Sequence, residues 1–271
     1  MFFIFKLIFS ILLLIKPNYA VANFDLEYGT QFRSYPALGG EFFFQSGKSF
    51  ALWGSPSTEK SNPWFGLLRF SVGGATSAVV NNGFAQVEFF PISFVGLAAG
   101  RQITRSDFDF PFFDCSELYC RSTIEHNFVQ LKTGLSLWRF IVLGSSRTEL
   151  MRRTDEVTHS DPDKEDELKK RKFGDFRKVI EAGPTTDRLD IYQQVYGLKF
   201  GQSIVGYMHE FSQMEKTNQA STLKLGVWIE KLDNSELTFG AGVMETSYLE
   251  KEDFIMVFRW SSWPFPSWKL L

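Results

Sequence analysis

Apolar and polar residues alternate with a period of two along most of this chain. In Phe24–Arg33, the residues Phe24, Leu26, Tyr28 and Phe32 share one face and Asp25, Glu27, Gln31 and Arg33 the other. That is the pattern of a strand with a different solvent on each side. The stretch Phe84–Arg101 repeats it: Ala85, Val87 and Phe89 alternate with Gln86 and Glu88, Pro91 interrupts, and a second extended run follows. Proline cannot donate to a ladder, so Pro91 marks a tight hairpin. Between these stretches, Glu41–Gln45 and Phe50–Trp53 read as hairpin arms turning at Ser46–Ser49, and Gly54–Pro63 reads as a polar loop. Trp64, Leu68, Phe70 and Val72 form the next apolar stripe, and Gly73-Gly74 with Asn81-Asn82-Gly83 bracket a short run at Thr76–Val80.

Beyond the Pro91 hairpin, Ile92–Ile103 leads into a loop at Thr104–Ser122. Thr123–Leu135 then sets Val129, Leu131 and Leu135 opposite His126, Gln130 and Lys132, and Phe140–Met151 follows a turn at Ser136–Arg139. The C-terminal third is the most regular part. Leu189–Phe200, Ser203–Gln213, Ser221–Lys231, Glu236–Tyr248 and Asp253–Trp260 are joined by short polar connections. In the middle one, Leu223, Leu225, Val227 and Ile229 read as the lipid face and Lys224, Gly226, Trp228 and Glu230 as the lumen face.

One connection stands apart, roughly Arg152–Arg188, dense in charges of both signs. So long a loop counts against a small soluble domain. Part of it reads as a solvated helix: Asp161 suits an N-cap, Pro162 the first helical position, and Glu165–Lys169, Asp166–Lys170 and Glu167–Arg171 are spaced i,i+4.

Composition decides what the alternation is for. Aromatic residues make up 17% of the chain, with Phe 30 and Trp 7, yet after Ala22 no apolar run is long enough for a membrane helix. A barrel reconciles the two, because only every second residue must be apolar while rings gather at the interfaces. The expected fold is all-β, an antiparallel meander closed into a transmembrane barrel of about 12 to 14 strands, within a range of roughly ten to sixteen, with long outer loops. Met1–Ala22 fits a secretory signal: Lys6 supplies the positive charge, Leu7–Ile15 the apolar stretch and Ala20-Val21-Ala22 the cleavage site. Residues 23–271 are then the barrel domain. The formal charge of −2 leaves no nucleic-acid footprint. Cys115 and Cys120, exported into an oxidising compartment, are expected to form a small disulfide loop.

Signal, meander of amphipathic strands, Phe-Pro turn and terminal aromatic strand (Phe254, Met256, Phe258, Trp260) together resemble the outer-membrane β-barrel proteins of Gram-negative bacteria. The resemblance is porin-like and to a class, with no motif of one family. It implies export by the Sec route into the outer membrane, contact with outer-membrane lipid and lipopolysaccharide, and insertion by the barrel-assembly machinery. It leaves the oligomeric state open. The function it implies is a channel for small hydrophilic solutes; the alternatives are a lipid-modifying hydrolase and a structural or surface-recognition barrel acting through its charged loop.

For a channel the residues that matter are on the polar faces. Asp25, Glu27, Arg33, Arg69, Lys132, Lys199, Lys224 and Glu230 are the lumen candidates, a set of mixed sign. A hydrolase needs a His within reach of a hydroxyl. His126, near the expected outer rim, and His209, with Ser212 three residues on but on the opposite face, are the candidates; rim or lumen polar residues are the default reading of both. Neither metal nor cofactor is expected.

Overall fold

A computed structural model of the chain describes residues 22–35, 38–54, 64–77, 79–110, 112–155, 170–175, 178–249 and 251–265. The export signal and the helix beginning at Asp161 fall largely outside the described residues. In chain order the elements are β1 (Ala22–Arg33), β2 (Gly39–Trp53), β3 (Gly66–Thr76), β4 (Val80–Ile92), β5 (Val95–Ser106), β6 (Leu118–Tyr119), β7 (Ser122–Leu137) and β8 (Phe140–Arg153). They continue with β9 (Lys172–Asp175), β10 (Ile180–Ala182), β11 (Thr186–Phe200), β12 (Ser203–Met214), β13 (Ala220–Lys231), β14 (Ser235–Thr246) and β15 (Lys251–Phe265).

Twelve of these strands form a closed antiparallel barrel, each paired with its neighbours along the chain once β6, β9 and β10 are set aside. The seam is the antiparallel pair β1–β15, where Arg259 bonds Glu27 at 3.0 Å. Barrel strands run from 11 residues in β3 to 16 in β7, more than the roughly 9–11 a tilted strand needs to cross a bilayer. Short turns gather at one end, as at Ser93–Phe94, Trp138–Arg139 and Gly201–Gln202. Both long connections leave the other end, which marks it as the outer one.

Outward faces carry the apolar band expected of lipid-facing strands. Phe24, Phe32, Phe42, Phe44, Val129, Leu131 and Phe254 are all exposed there. Trp64 and Trp138 lie at the short-turn end, Trp64 packing edge-on against Phe94. Rings at the interfaces place an apolar body and a polar edge where lipid gives way to water.

Four local expectations change. β2 is one unbroken strand, so Ser46–Ser49 is not a turn: Gly47 lies opposite Ser71 beside the Arg69 guanidinium, whose Nε would be only 2.9 Å from an added Cβ. Gly73 and Gly74 belong to β3 and Asn81–Gly83 to β4, so Thr76–Val80 is the turn and not a strand. Gly73 is small because the Phe84 ring lies across it, 2.7 Å from where a Cβ would be. Pro91 sits in a register irregularity between Phe89 and Ile92, one step before the turn, where no ladder bond is required of it. Finally, β15 runs past Trp260 to Phe265 through an irregularity opposite Leu26–Tyr28.

The long loops fold back onto the barrel and meet each other. β9 and β10 form a hairpin from the charged connection, and β6, from the disulfide loop, pairs in parallel with β9. Phe113, Leu118, Cys120 and Val179 of these loops pack with Leu225, Val227, Met244 and Ile255 of β13–β15 in one buried cluster. Phe173, Ile180 and Ala182 pack with Ile124, Met151, Leu189 and Met214 of β7, β8, β11 and β12 in another. Since those barrel residues are buried and in register with other inward positions, the loops form a plug inside the outer half of the lumen. Cys115 and Cys120 are joined by a disulfide, and the Tyr248 hydroxyl accepts a hydrogen bond from the Asp114 amide at 2.9 Å. Hydrogen bonds from the Ser116 side chain and amide hold the Asp114 carboxyl below its ordinary range.

The plug explains the one face assignment that inverts. On β13, Leu225 and Val227 are buried and point inward, whereas Lys224, Gly226 and Trp228 are exposed on the outside. The apolar face turns in because the plug, and not water, lies behind that wall.

Candidate functional site

Cross-strand pairing carries inward positions around the barrel from strand to strand. One such line runs Ser49, Arg69, Glu88, Ala98, Gln130, Arg147 and Ile191 across β2, β3, β4, β5, β7, β8 and β11. The first half of the barrel thereby presents a polar wall, facing the apolar wall of β13–β15.

Its lower group centres on Arg69. The guanidinium bonds both oxygens of Asp25, at 2.7 and 3.1 Å, and one of Glu88 at 2.6 Å. Lys132 takes the other Glu88 oxygen at 2.5 Å. Asp25 and Glu88 are both buried, so each charge is held by an opposite one and not by bulk water. A fork of donors meeting two carboxylates is what guanidinium geometry allows and an ammonium does not.

The upper group is built from a glycine upward. Gly100 pairs with Phe128, and an added Cβ there would lie 2.7 Å from that ring. Lying flat on the wall, the ring carries the Arg147 guanidinium at 3.7 Å from its centroid. Arg147 reaches Glu149 at 2.5 Å, and Glu149 takes Nδ1 of His126 at 2.7 Å. A carboxylate only accepts, so Nδ1 bears a proton, and in the neutral imidazole Nε2 is left as an acceptor. Nε2 is buried and has no partner. From the plug, Lys178 pairs with Glu210 of β12.

Two cavities lie along this wall. The upper, of about 240 Å³, sits beneath the β9–β10 hairpin and is lined by Gln102, His126, Arg147, Glu149, Lys178 and Glu210 among others. The lower, of about 420 Å³, is lined by Glu27, Gln45, Arg69, Glu88 and Lys132, with Phe90 and Phe94 toward the short-turn end. Gln130, Ser145 and Gln193 line both, so the two spaces meet at these three residues.

The lumen candidates divide accordingly. Asp25, Glu27, Arg69 and Lys132 lie on the inner wall, with Arg33 on the same face of β1 nearer the outer end. Lys199 keeps inward register on β11 but stands exposed at the short-turn mouth. Lys224 and Glu230 are corrections: both lie on the outward face of β13, where Glu230 accepts a hydrogen bond from the Ser203 hydroxyl. His126 points inward, away from lipid. His209 is in register with Lys224 on the outer face, while Ser212 is buried inside. Glu88, Arg147, Glu149, Lys178 and Glu210 were missed as site residues. Strict alternation puts Glu88 with Gln86, and Arg147 with Glu149, on the lumen side, so four of their positions carried a usable signal; Lys178 sits in a loop and carried none.

No family model matches this chain, and neither does any curated protein. Solved structures do match in fold. The chain is similar to the KdgM porin in complex with disordered oligogalacturonate, with 8% identity and a TM-score of 0.44 over 90% of this chain and 99% of that one. An outer membrane channel from Pseudomonas putida F1 matches with 11% identity and a TM-score of 0.44, over 92% and 98%. The beta domain of the Bordetella autotransporter Brka matches with 10% identity and a TM-score of 0.42, over 90% and 98%. Such likeness concerns architecture alone. The closed twelve-strand antiparallel barrel, with its outward apolar band, is that of the outer-membrane β-barrel proteins.

Proposed function

We propose that this protein is a narrow, porin-like channel of a Gram-negative outer membrane, passing small hydrophilic solutes along one side of its lumen. The observation that carries the reading is the meeting of two polar cavities at Gln130, Ser145 and Gln193 beside the plug. A solute on this route passes Lys178–Glu210 and Arg147–Glu149 above, then Glu88–Lys132 and Asp25–Arg69 below. Because each cation has a carboxylate partner, the route favours hydration over strong ion selection. The inward direction of His126 gives no support to hydrolysis of membrane lipid. Outside, Arg101 and Arg152 share the Glu125 carboxylate at 2.8 and 3.7 Å near the outer rim, leaving a net positive patch for phosphate groups of the outer leaflet glycolipid.

The test is conductance of the refolded full chain in planar bilayers. Small, ohmic single-channel steps are expected, with weak ion preference. Silence from protein whose barrel remains folded in cold detergent would remove the channel reading.

A further inference from the structure

We infer that the upper cavity is a binding subsite for one compact, uncharged, hydroxyl-bearing solute, held by His126 Nε2, Gln130 and Ser145 beneath the β9–β10 hairpin. The inference rests on the channel reading, and names the solute class that pauses in the upper half of that route.

Consider which groups in the cavity are already engaged. Glu149 is taken by both Arg147 and His126 Nδ1, and Glu210 by Lys178 with Gln193 at 3.4 Å. Asp175 accepts the Lys178 amide at 2.9 Å. Three carboxylates against two cations disfavour an entering anion, and a cation would have to compete with partners already in contact. A charged solute gains little here unless it breaks a pair, and removing one member of a buried pair leaves the other uncompensated.

What remains unsatisfied is neutral. His126 is 4% exposed, and its Nε2 faces the cavity without a partner. Such a buried acceptor costs free energy until a donor arrives. Gln130 and Ser145 line the same space, and their side chains make no hydrogen bond among the described residues. An imidazole acceptor, a primary amide and a hydroxyl together offer both donors and acceptors at short range. Hydroxyl groups, which donate and accept at one atom, answer that set; a bare ammonium only donates and a carboxylate only accepts. The volume of about 240 Å³ lies just below the range of pockets for drug-sized ligands, beginning at ~300 Å³, which limits the occupant to one small molecule.

Saturation-transfer NMR on the full chain in detergent micelles tests this with three probes: D-glucose, sodium acetate and ethylammonium chloride. Saturable transfer to D-glucose alone is expected, weakened at least tenfold by His126→Leu and by Gln130→Leu. If His126→Leu does not reach the heat-modifiable folded form, Gln130→Leu decides. Transfer to acetate or ethylammonium but not to glucose would overturn the subsite, as would glucose binding untouched in a folded variant. Parallel bilayer recordings separate the two readings. Conductance without glucose binding refutes the subsite and leaves the channel, whereas glucose binding without conductance does the reverse.

Discussion

Glu88 is the residue whose loss tests the polar wall most directly. Its carboxylate is 4% exposed and is the shared partner of Arg69, at 2.6 Å, and Lys132, at 2.5 Å. Glu88→Gln keeps the shape and removes the charge. A hydrogen bond to a charged group contributes about 1.5–3 kcal/mol, and two are weakened here. Arg69 retains Asp25, and the Lys132 side chain is 35% exposed, so lumen water recovers part of the loss. The expected net destabilisation is about 2–3 kcal/mol. Reversible urea unfolding in lipid vesicles measures it, and Lys132→Met supplies the other arm of a double-mutant cycle. If the pair works as described, the cycle gives a coupling of about 1 kcal/mol. Removing one negative charge from the lower cavity should also move the bilayer reversal potential toward anions. An unfolding free energy within about 0.5 kcal/mol of wild type, the ordinary scatter of a surface substitution, would refute the view that these charges hold one another out of bulk water.

Other outcomes follow from the plug and the wall. Val179 is fully buried in the plug cluster despite a φ of 56°, so Val179→Asp should unseat the hairpin and raise single-channel conductance; an unchanged conductance would detach the plug from the pore. Cys115→Ser with Cys120→Ser opens only a short loop, so the barrel should keep its resistance to cold detergent while trypsin gains access at Arg121; loss of the folded barrel itself would contradict this. Gly100→Val would put a side chain 2.5 Å from the Ala85 carbonyl, which belongs to the ladder and cannot swing away. Over-packing of this kind costs about 1–3 kcal/mol, read as a lower midpoint in the same urea titration.

Much of the barrel was legible in the sequence, and the reasons it was legible also explain where reading failed. Phe24–Arg33 and the Pro91 hairpin faced lipid on one side and a polar interior on the other, so alternation reported the solvent correctly. Ser46–Ser49 looked like a turn because small polar residues mark turns. Here they are small to admit the Arg69 guanidinium, a contact made by a strand elsewhere in sequence. Lys224 and Glu230 were placed inside by the same rule that succeeded for Lys132. The rule assumes water in the lumen, and behind β13 there is a hydrophobic plug supplied by loops some 50 to 110 residues upstream. The plug strands themselves were hidden in a region whose charge pattern suggested only a solvated helix, since the parallel pairing of β6 with β9 leaves no local trace. His126 was recognised as a candidate, but its partner Glu149 lies on the next strand, and only the register brings them together.

The division of the interior into a polar and an apolar wall sets two different rules for how the sequence can drift. On the β1–β8 side a single substitution strands a charge, so Asp25, Arg69, Glu88 and Lys132 should be gained or lost in company. On the β13–β15 side Leu225, Val227, Met244 and Ile255 answer only to volume, and can trade bulk with Phe113, Leu118 and Val179 of the loops one residue at a time. Descendants of this chain would therefore keep the apolar side as a family of interchangeable fillings, and change what passes through in concerted jumps along the other.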